Sequence, residues 1–119
     1  MWFLCQLKMK SVNKIILIGH LGVKPEGRYT PQGVSTASFS MATNEIWYDS
    51  NKKKHEHTEW HNIVVFNKNA DFATQYLDKG DLIYLEGSIK TRVWINSQKE
   101  EKKRTEVFAS QLVPLGAKK

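Results

Sequence analysis

Apolar and polar positions alternate with a period of two through much of this chain, and the alternation is sharpest between Ser88 and Ile95. In an extended strand Ile89, Thr91, Val93 and Ile95 point to one side, while Lys90, Arg92 and Trp94 point to the other. The first set predicts a face that packs a core; the second sets two cations beside an indole. The stretch Thr58 to Phe66 repeats the arrangement, with Trp60, Asn62, Val64 and Phe66 on one parity and His61, Ile63 and Val65 on the other. Val12 to Gly19 is β-branched and nearly continuous, the pattern of a strand buried on both sides. A further strand is expected from Val34 to about Trp47, where Ala37, Phe39 and Met41 alternate with Ser38, Ser40 and Ala42. A last one covers Thr105 to Val113.

Turn residues separate these segments. Gly19 and Gly22 break the first, and the pairs Pro25/Gly27 and Pro31/Gly33 bound a short connection holding Arg28 and Tyr29. The polar run Tyr48 to His57 predicts a long hairpin loop, and Asn96 to Arg104 a second, charged one. Ala70, Ala73, Tyr76 and Leu77 recur at helical spacing, with Asp71 suited to a first turn, Lys79 to a last turn and Gly80 to a stop. Gly87 predicts a bulge or bend in the strand from Leu82 to Ile95. The order is strand, strand, strand, helix, strand, strand. That is the order of an all-β, five-stranded OB-fold Greek-key barrel with one short helix between strands 3 and 4, an architecture whose loops and one face often bind oligonucleotides.

A length of 119 residues suits one domain, able to bury about 65% of its unfolded surface. Residues 11–113 are expected to form it, between an N-terminal extension at 1–10 and a short basic end at 114–119. The formal charge of +6 favours a polyanionic partner without naming it. Cys5 is the single cysteine, so no internal disulfide forms, which fits a reducing compartment. The apolar Met1 to Leu7 is too short for a membrane span or a signal-peptide core, pointing to a protein of the cell interior with no membrane partner.

The face carrying Lys90, Arg92 and Trp94 is what a single-stranded nucleic acid needs, since cations track the phosphates while an aromatic ring stacks a base. Trp60 and Phe66 offer the same chemistry. Strict alternation instead places Trp47 with Phe39 and Met41 on the core side, so an exposed Trp47 needs a bend near Glu45. Lys52, Lys53 and Lys54 form either a solvated loop or a phosphate contact. Lys99, Lys102, Lys103 and Arg104 are diluted by Glu100 and Glu101, so a mixed-charge solvated hairpin is the default there. His55, His57 and His61 lack the ligand set of a zinc site, and no metal or cofactor is expected. No phosphate loop, His-Glu-x-x-His motif or paired strand carboxylates support catalysis, which argues against an enzyme, including an OB-fold nuclease.

A resemblance sharpens this reading. Asn13-Lys14-Ile15-Ile16-Leu17-Ile18-Gly19, Arg28-Tyr29-Thr30-Pro31, Ala42-Thr43-Asn44-Glu45, Thr58-Glu59-Trp60-His61, Tyr76-Leu77-Asp78-Lys79-Gly80, Tyr84-Leu85-Glu86-Gly87 and Thr91-Arg92-Val93-Trp94 follow one another in an order and spacing that resembles the bacterial-type single-stranded DNA-binding proteins. The resemblance implies a homotetramer of OB-folds that coats single-stranded DNA with little sequence preference in replication, repair and recombination. It implies stacking by Trp47, Trp60, Phe66 and Trp94, phosphate contacts from Arg28, Lys90 and Arg92, and subunit contacts at His61 and Tyr84. Asn62 and Val93 depart from the family pattern, which often has basic residues there. The family usually continues through a linker to an acidic tip that recruits replication and repair proteins, whereas this chain stops at Lys118-Lys119, as in a short form or a truncated product. The implied location is the bacterial cytoplasm, at the nucleoid, with an organellar matrix as the alternative. A primosomal-type OB module that binds partner proteins first and DNA more weakly is the competing function, and an RNA-binding OB module the third.

Overall fold

The computed structural model describes residues 11–115, which form six strands and one helix: β1 (Ile15–Leu21), β2 (Glu26–Tyr29), β3 (Ser35–Tyr48), β4 (Lys54–Phe66), α1 (Lys68–Tyr76), β5 (Leu82–Ile95) and β6 (Glu101–Leu115). Hydrogen-bonded neighbours run β1-β5-β6-β4-β3-β2, and a further pairing of β1 with β3 at His20↔Ala42 and Leu21↔Met41 closes five of the strands into a barrel. β4 and β6 pair in parallel at Ile63↔Val107 and Val64↔Phe108; the other pairings are antiparallel. This is the expected all-β OB-fold barrel, with its one helix between the third and fourth barrel strands. β2 is an addition, because the connection around Arg28 pairs with β3 from Glu26↔Ser38 to Tyr29↔Ser35 as a short edge strand.

The barrel interior is filled by Leu21, Ala37, Phe39, Met41, Ile63, Val65, Ile83, Leu85, Val107 and Ala109, all buried, and Ala37, Phe39 and Met41 have the parity expected to pack. α1 adds Ala70 and Ala73 to this core, and Leu77 follows from the residue after the helix. The helix is shorter than expected. It ends at Tyr76, which is exposed, and Leu77 is already extended, so Lys79 lies outside the last turn. Gly80, with a φ of 91°, instead serves the turn that follows, where its N–H donates to the Leu21 carbonyl at 2.8 Å. Gly87 sits at the register shift expected in β5, and a Cβ there would stand 2.2 Å from the Phe108 carbonyl oxygen. Only a residue without a side chain lets β5 and β6 approach this closely.

Three expectations of burial or loop structure are corrected. β1 is buried on one side only, with Ile16 and Ile18 more than half exposed. The two predicted long loops are shorter than expected, since Tyr48 and Lys54 to His57 of the first and Glu101 to Arg104 of the second belong to strands. β3 and β4 pair out to Tyr48↔Lys54, and β5 and β6 out to Ile95↔Glu101, each closed by a tight turn with Lys52 or Lys99 at positive φ. Beyond the barrel these pairs are two-stranded arms with no second layer, so Ile89, Val93 and Ile95, read as core, are exposed. The expected extension at 1–10 with Cys5, and residues 116–119, lie outside the described residues; β6 itself passes the expected limit at Val113, pairing Pro114 and Leu115 with Ile83 and Leu82.

Candidate nucleic-acid interface

Directly paired residues of a ladder share one face of the sheet, so the register shows what stands together. On β5 and β6 the pairs Ser88↔Phe108, Lys90↔Glu106, Arg92↔Arg104 and Trp94↔Lys102 carry the Lys90/Arg92/Trp94 face across two strands. The parallel pair Val64↔Phe108 continues that face onto β4, where it holds Trp60, Asn62, Val64 and Phe66. The β3 register carries it on to Ala42, Ser40, Ser38 and Thr36, and Arg28↔Thr36 adds β2. One continuous side of the sheet therefore collects Arg28, Trp60, Phe66, Lys90, Arg92 and Trp94. The two alternating segments read from sequence meet because β4 and β6 are neighbours.

Local contacts fix these groups. The rings of Phe66 and Phe108 lie 5.3 Å apart at 57°, the Lys90 ammonium stands 5.8 Å above Phe108, and the Arg92 guanidinium stands 5.5 Å above the Trp94 ring. Such cation–aromatic contacts hold long basic side chains against the sheet while leaving their charge outward. Glu106 is 6% exposed and lies beneath the basic row, with one carboxylate oxygen 3.2 Å from Arg92 Nη2 and 3.6 Å from Arg104 Nε. Trp94 and Trp60 remain 41% and 57% exposed, so both rings are open to a ligand. Phe39, Ser38, Ser40, Asn62, Arg104 and Glu106 border a groove of about 360 Å³ against the Val23–Lys24 segment.

Of the other predicted residues, Arg28 lies on the edge strand of this face and Trp47 lies off it. Arg28 is exposed and pairs with Glu26 of its own strand at 2.9 Å. The β3–β4 ladder shows no register change at Glu45, so Trp47 keeps the parity of Phe39 and lies on the opposite side from Trp60. It is exposed because the arm has left the barrel, not because of a bend. Its ring stacks on His55, with centroids 5.5 Å apart at 16°, and His55 pairs with Asp49 at 2.9 Å. That hydrogen bond, with the Lys53 and Asn51 backbone N–H groups, holds the Asp49 carboxyl below the usual aspartate value. Lys52 and Lys53 form the arm's turn, and Lys54 begins β4 and reaches Glu56 at 3.1 Å.

His61 is half-buried, 3.0 Å from the Thr43 hydroxyl. Tyr84 stands on the outer side of the β1–β5–β6 sheet between Ile18 and Val113, and its hydroxyl donates to Glu86. The phenol is pushed up and the carboxyl held down by this bond, and Lys14, 3.3 Å from Glu86, adds to the latter. His55, His57 and His61 turn to Asp49, Glu59 and Thr43 respectively, so the three imidazoles do not converge.

Phe108, Glu106 and Arg104 are the contributors that sequence reasoning missed or discounted. Phe108 was detectable, since Val107 and Ala109 alternate around it as core. Arg104 and Glu106 were not, because their membership rests on register with β5.

The chain matches the single-strand binding protein family over residues 12–115. It is 45% identical over 108 residues to the single-stranded DNA-binding protein of Neisseria meningitidis, covering 91% of this chain and 62% of that protein. It is 44% identical over 110 residues to single-stranded DNA-binding protein 1 of Chlorobaculum tepidum, covering 92% of this chain and 68% of the relative. The chain thus spans less than two thirds of the Neisseria protein's length. Among solved structures, the Plasmodium falciparum SSB in complex with ssDNA superposes with a TM-score of 0.83 at 40% identity, covering 90% of this chain and 97% of that one. The single-stranded DNA binding protein from Thermus aquaticus superposes with a TM-score of 0.78 at 28% identity, covering 88% and 51%. With the barrel, its basic aromatic face and a family match across almost the whole described chain, this protein belongs to the single-strand binding protein family.

Proposed function

We propose that this chain is a non-enzymatic binding protein that coats single-stranded DNA without sequence preference and protects it during replication, repair and recombination. The observation that carries the reading is the continuous sheet face on which Trp60, Phe66, Phe108 and Trp94 are interleaved with Lys90, Arg92 and Arg104. Aromatic rings stack any base, and cations follow any phosphate, so such a face is indifferent to sequence. The expected unit of residues 11–113, extended to Leu115 by the end of β6, forms the DNA-binding domain in this reading. Arg28 and the turn lysines Lys52, Lys53 and Lys54 extend the phosphate track, and Trp47 supplies a stacking ring on the far side of the β3–β4 arm. The relatives' printed names and the solved ssDNA complex support the choice of ligand.

We further assign a homotetramer. Ile16, Ile18 and Val113 expose apolar surface on the outer side of the β1–β5–β6 sheet around Tyr84, which is costly to leave in water and suits a second copy. Tyr84 and His61 are the proposed subunit contacts. The bacterial relatives support action in a bacterial cytoplasm, on strands exposed at the nucleoid. Among the described residues no helix is long and apolar enough to cross a membrane.

The test is a tryptophan-fluorescence titration with oligo(dT) and with duplex of matching length, at two salt concentrations, alongside sedimentation to obtain the mass. Strong quenching by the single strand, weakened by salt, with little response to duplex, is the expected result. A dimer with weak, duplex-indifferent binding overturns it in favour of a protein-interaction module of the primosomal type.

A further inference from the structure

We infer that Gly22 is a positioning residue for the Trp60 indole: the missing side chain at the β1–β2 turn is the seat in which that ring lies. The inference rests on the reading of Trp60 as a stacking residue and adds what holds it. Trp60 is on β4, paired with the buried Ala42, where the β3–β4 arm leaves the barrel. The residue is 57% exposed, so the barrel core does not enclose its side chain.

The turn after β1 supplies the fixation. A Cβ on Gly22 would stand 2.4 Å from Trp60 Cζ3, 2.9 Å from Cη2 and 2.8 Å from Ser40 Oγ. Real carbon contacts do not close to such distances, so the far edge of the six-membered ring rests against the Gly22 backbone itself. The Gly22 N–H donates to the Ser40 carbonyl at 2.9 Å, which ties the turn to β3 beside the ring. Gly22 does not lie at positive φ, unlike Gly33 and Gly80. Backbone conformation therefore does not require glycine here, and the close approach of the indole does. A methyl group at this position displaces the ring while the turn and barrel persist. An indole held against the turn loses less rotamer freedom when a base stacks on it, which is how Gly22 raises affinity through Trp60.

The experiment compares Gly22→Ala, Trp60→Ala and the double variant by oligo(dT) titration, with the Trp60 indole N–H resonance, assigned by its absence in Trp60→Ala, as a second readout. Trp60→Ala is expected to weaken binding ~5-fold or more. Gly22→Ala should reproduce a large part of that loss with an unchanged or raised thermal midpoint, shift the Trp60 resonance and add nothing in the Trp60→Ala background. Wild-type affinity and an unshifted resonance in Gly22→Ala overturn the inference, as does a penalty that adds in full to that of Trp60→Ala. If Trp60→Ala itself binds like wild type, the stacking assignment fails, and the resonance alone decides whether Gly22 seats the ring.

Discussion

The Arg92 guanidinium donates through Nη2 to a Glu106 carboxylate oxygen at 3.2 Å, and that carboxylate is nearly buried while the arginine remains mostly exposed. Arg104, directly opposite Arg92 in the ladder, approaches the same oxygen. Two like charges in opposed positions repel, so the carboxylate between them stabilises both the ladder and the outward aim of the cations. Because both arginines are partly solvated, screening reduces the value of the pairs to about 1 kcal/mol. Glu106→Ala should lower the urea midpoint accordingly with an unchanged m-value. An unaltered midpoint would show that water serves the two arginines as well as Glu106 does.

Trp94 and Val93 are neighbours in sequence and stand on opposite faces of the same arm, and both are exposed. Trp94→Ala should weaken oligo(dT) binding by ~1–3 kcal/mol. Val93→Ala, which removes apolar surface from the other side, should leave affinity unchanged. Equal losses in titrations of the two variants would contradict a β5–β6 arm that binds through its Trp94 face alone.

Phe108 carries the same expectation from a position with no motif of its own. It joins Phe66 to the Lys90 side chain, so Phe108→Ala should remove a stacking ring and release Lys90 together. Its affinity loss should exceed that of Lys90→Ala at high salt, where stacking persists and charge is screened. The reverse order would assign Phe108 to packing alone.

Phosphate tracking has a thermodynamic signature. On single strands log K falls with log salt by about 0.7 per neutralised phosphate, so removing Lys90 and Arg92 together should flatten the slope by ~1.4 if each contacts one phosphate. Titrations over a series of salt concentrations check this. A double variant with lower affinity but the wild-type slope would mean that the two residues act through structure.

Asp49 links the pH response to the tip of the β3–β4 arm. Its carboxyl is held below the usual aspartate value chiefly by the bond to His55, so the stabilisation is present above the unfolded-state value and is lost as pH falls through the folded value. Acidification into that range should loosen the turn and unstack Trp47 from His55, changing Trp47 emission before the barrel unfolds. Asp49→Asn should lack this early step. An identical acid profile for the two proteins would remove Asp49 from the account.

Much of the architecture was legible in the chain because strand periodicity is local. The parity of Ile63 and Val65 against Trp60 and Phe66, the order of strands around the helix and the bulge at Gly87 all appear as written. The helix end and the loops were less legible. Leu77 continues the helical spacing but lies in extended backbone after α1, packed in the barrel core, and polar residues such as Lys54, Glu56 and His57 form an exposed strand as readily as a loop.

What the sequence determined by itself is therefore which side chains share a face, since alternation follows from backbone geometry within each segment. Which faces are covered, and which strands stand side by side, only the tertiary structure decided. Val93 and Ile95 have a core-like pattern but no layer above them, and Phe108, Arg104 and Glu106 join the candidate interface because β6 lies between β4 and β5. The seat of Trp60 at Gly22 joins positions far apart in the chain. Exposure and neighbourhood arise from contacts between distant segments, and no local period encodes them.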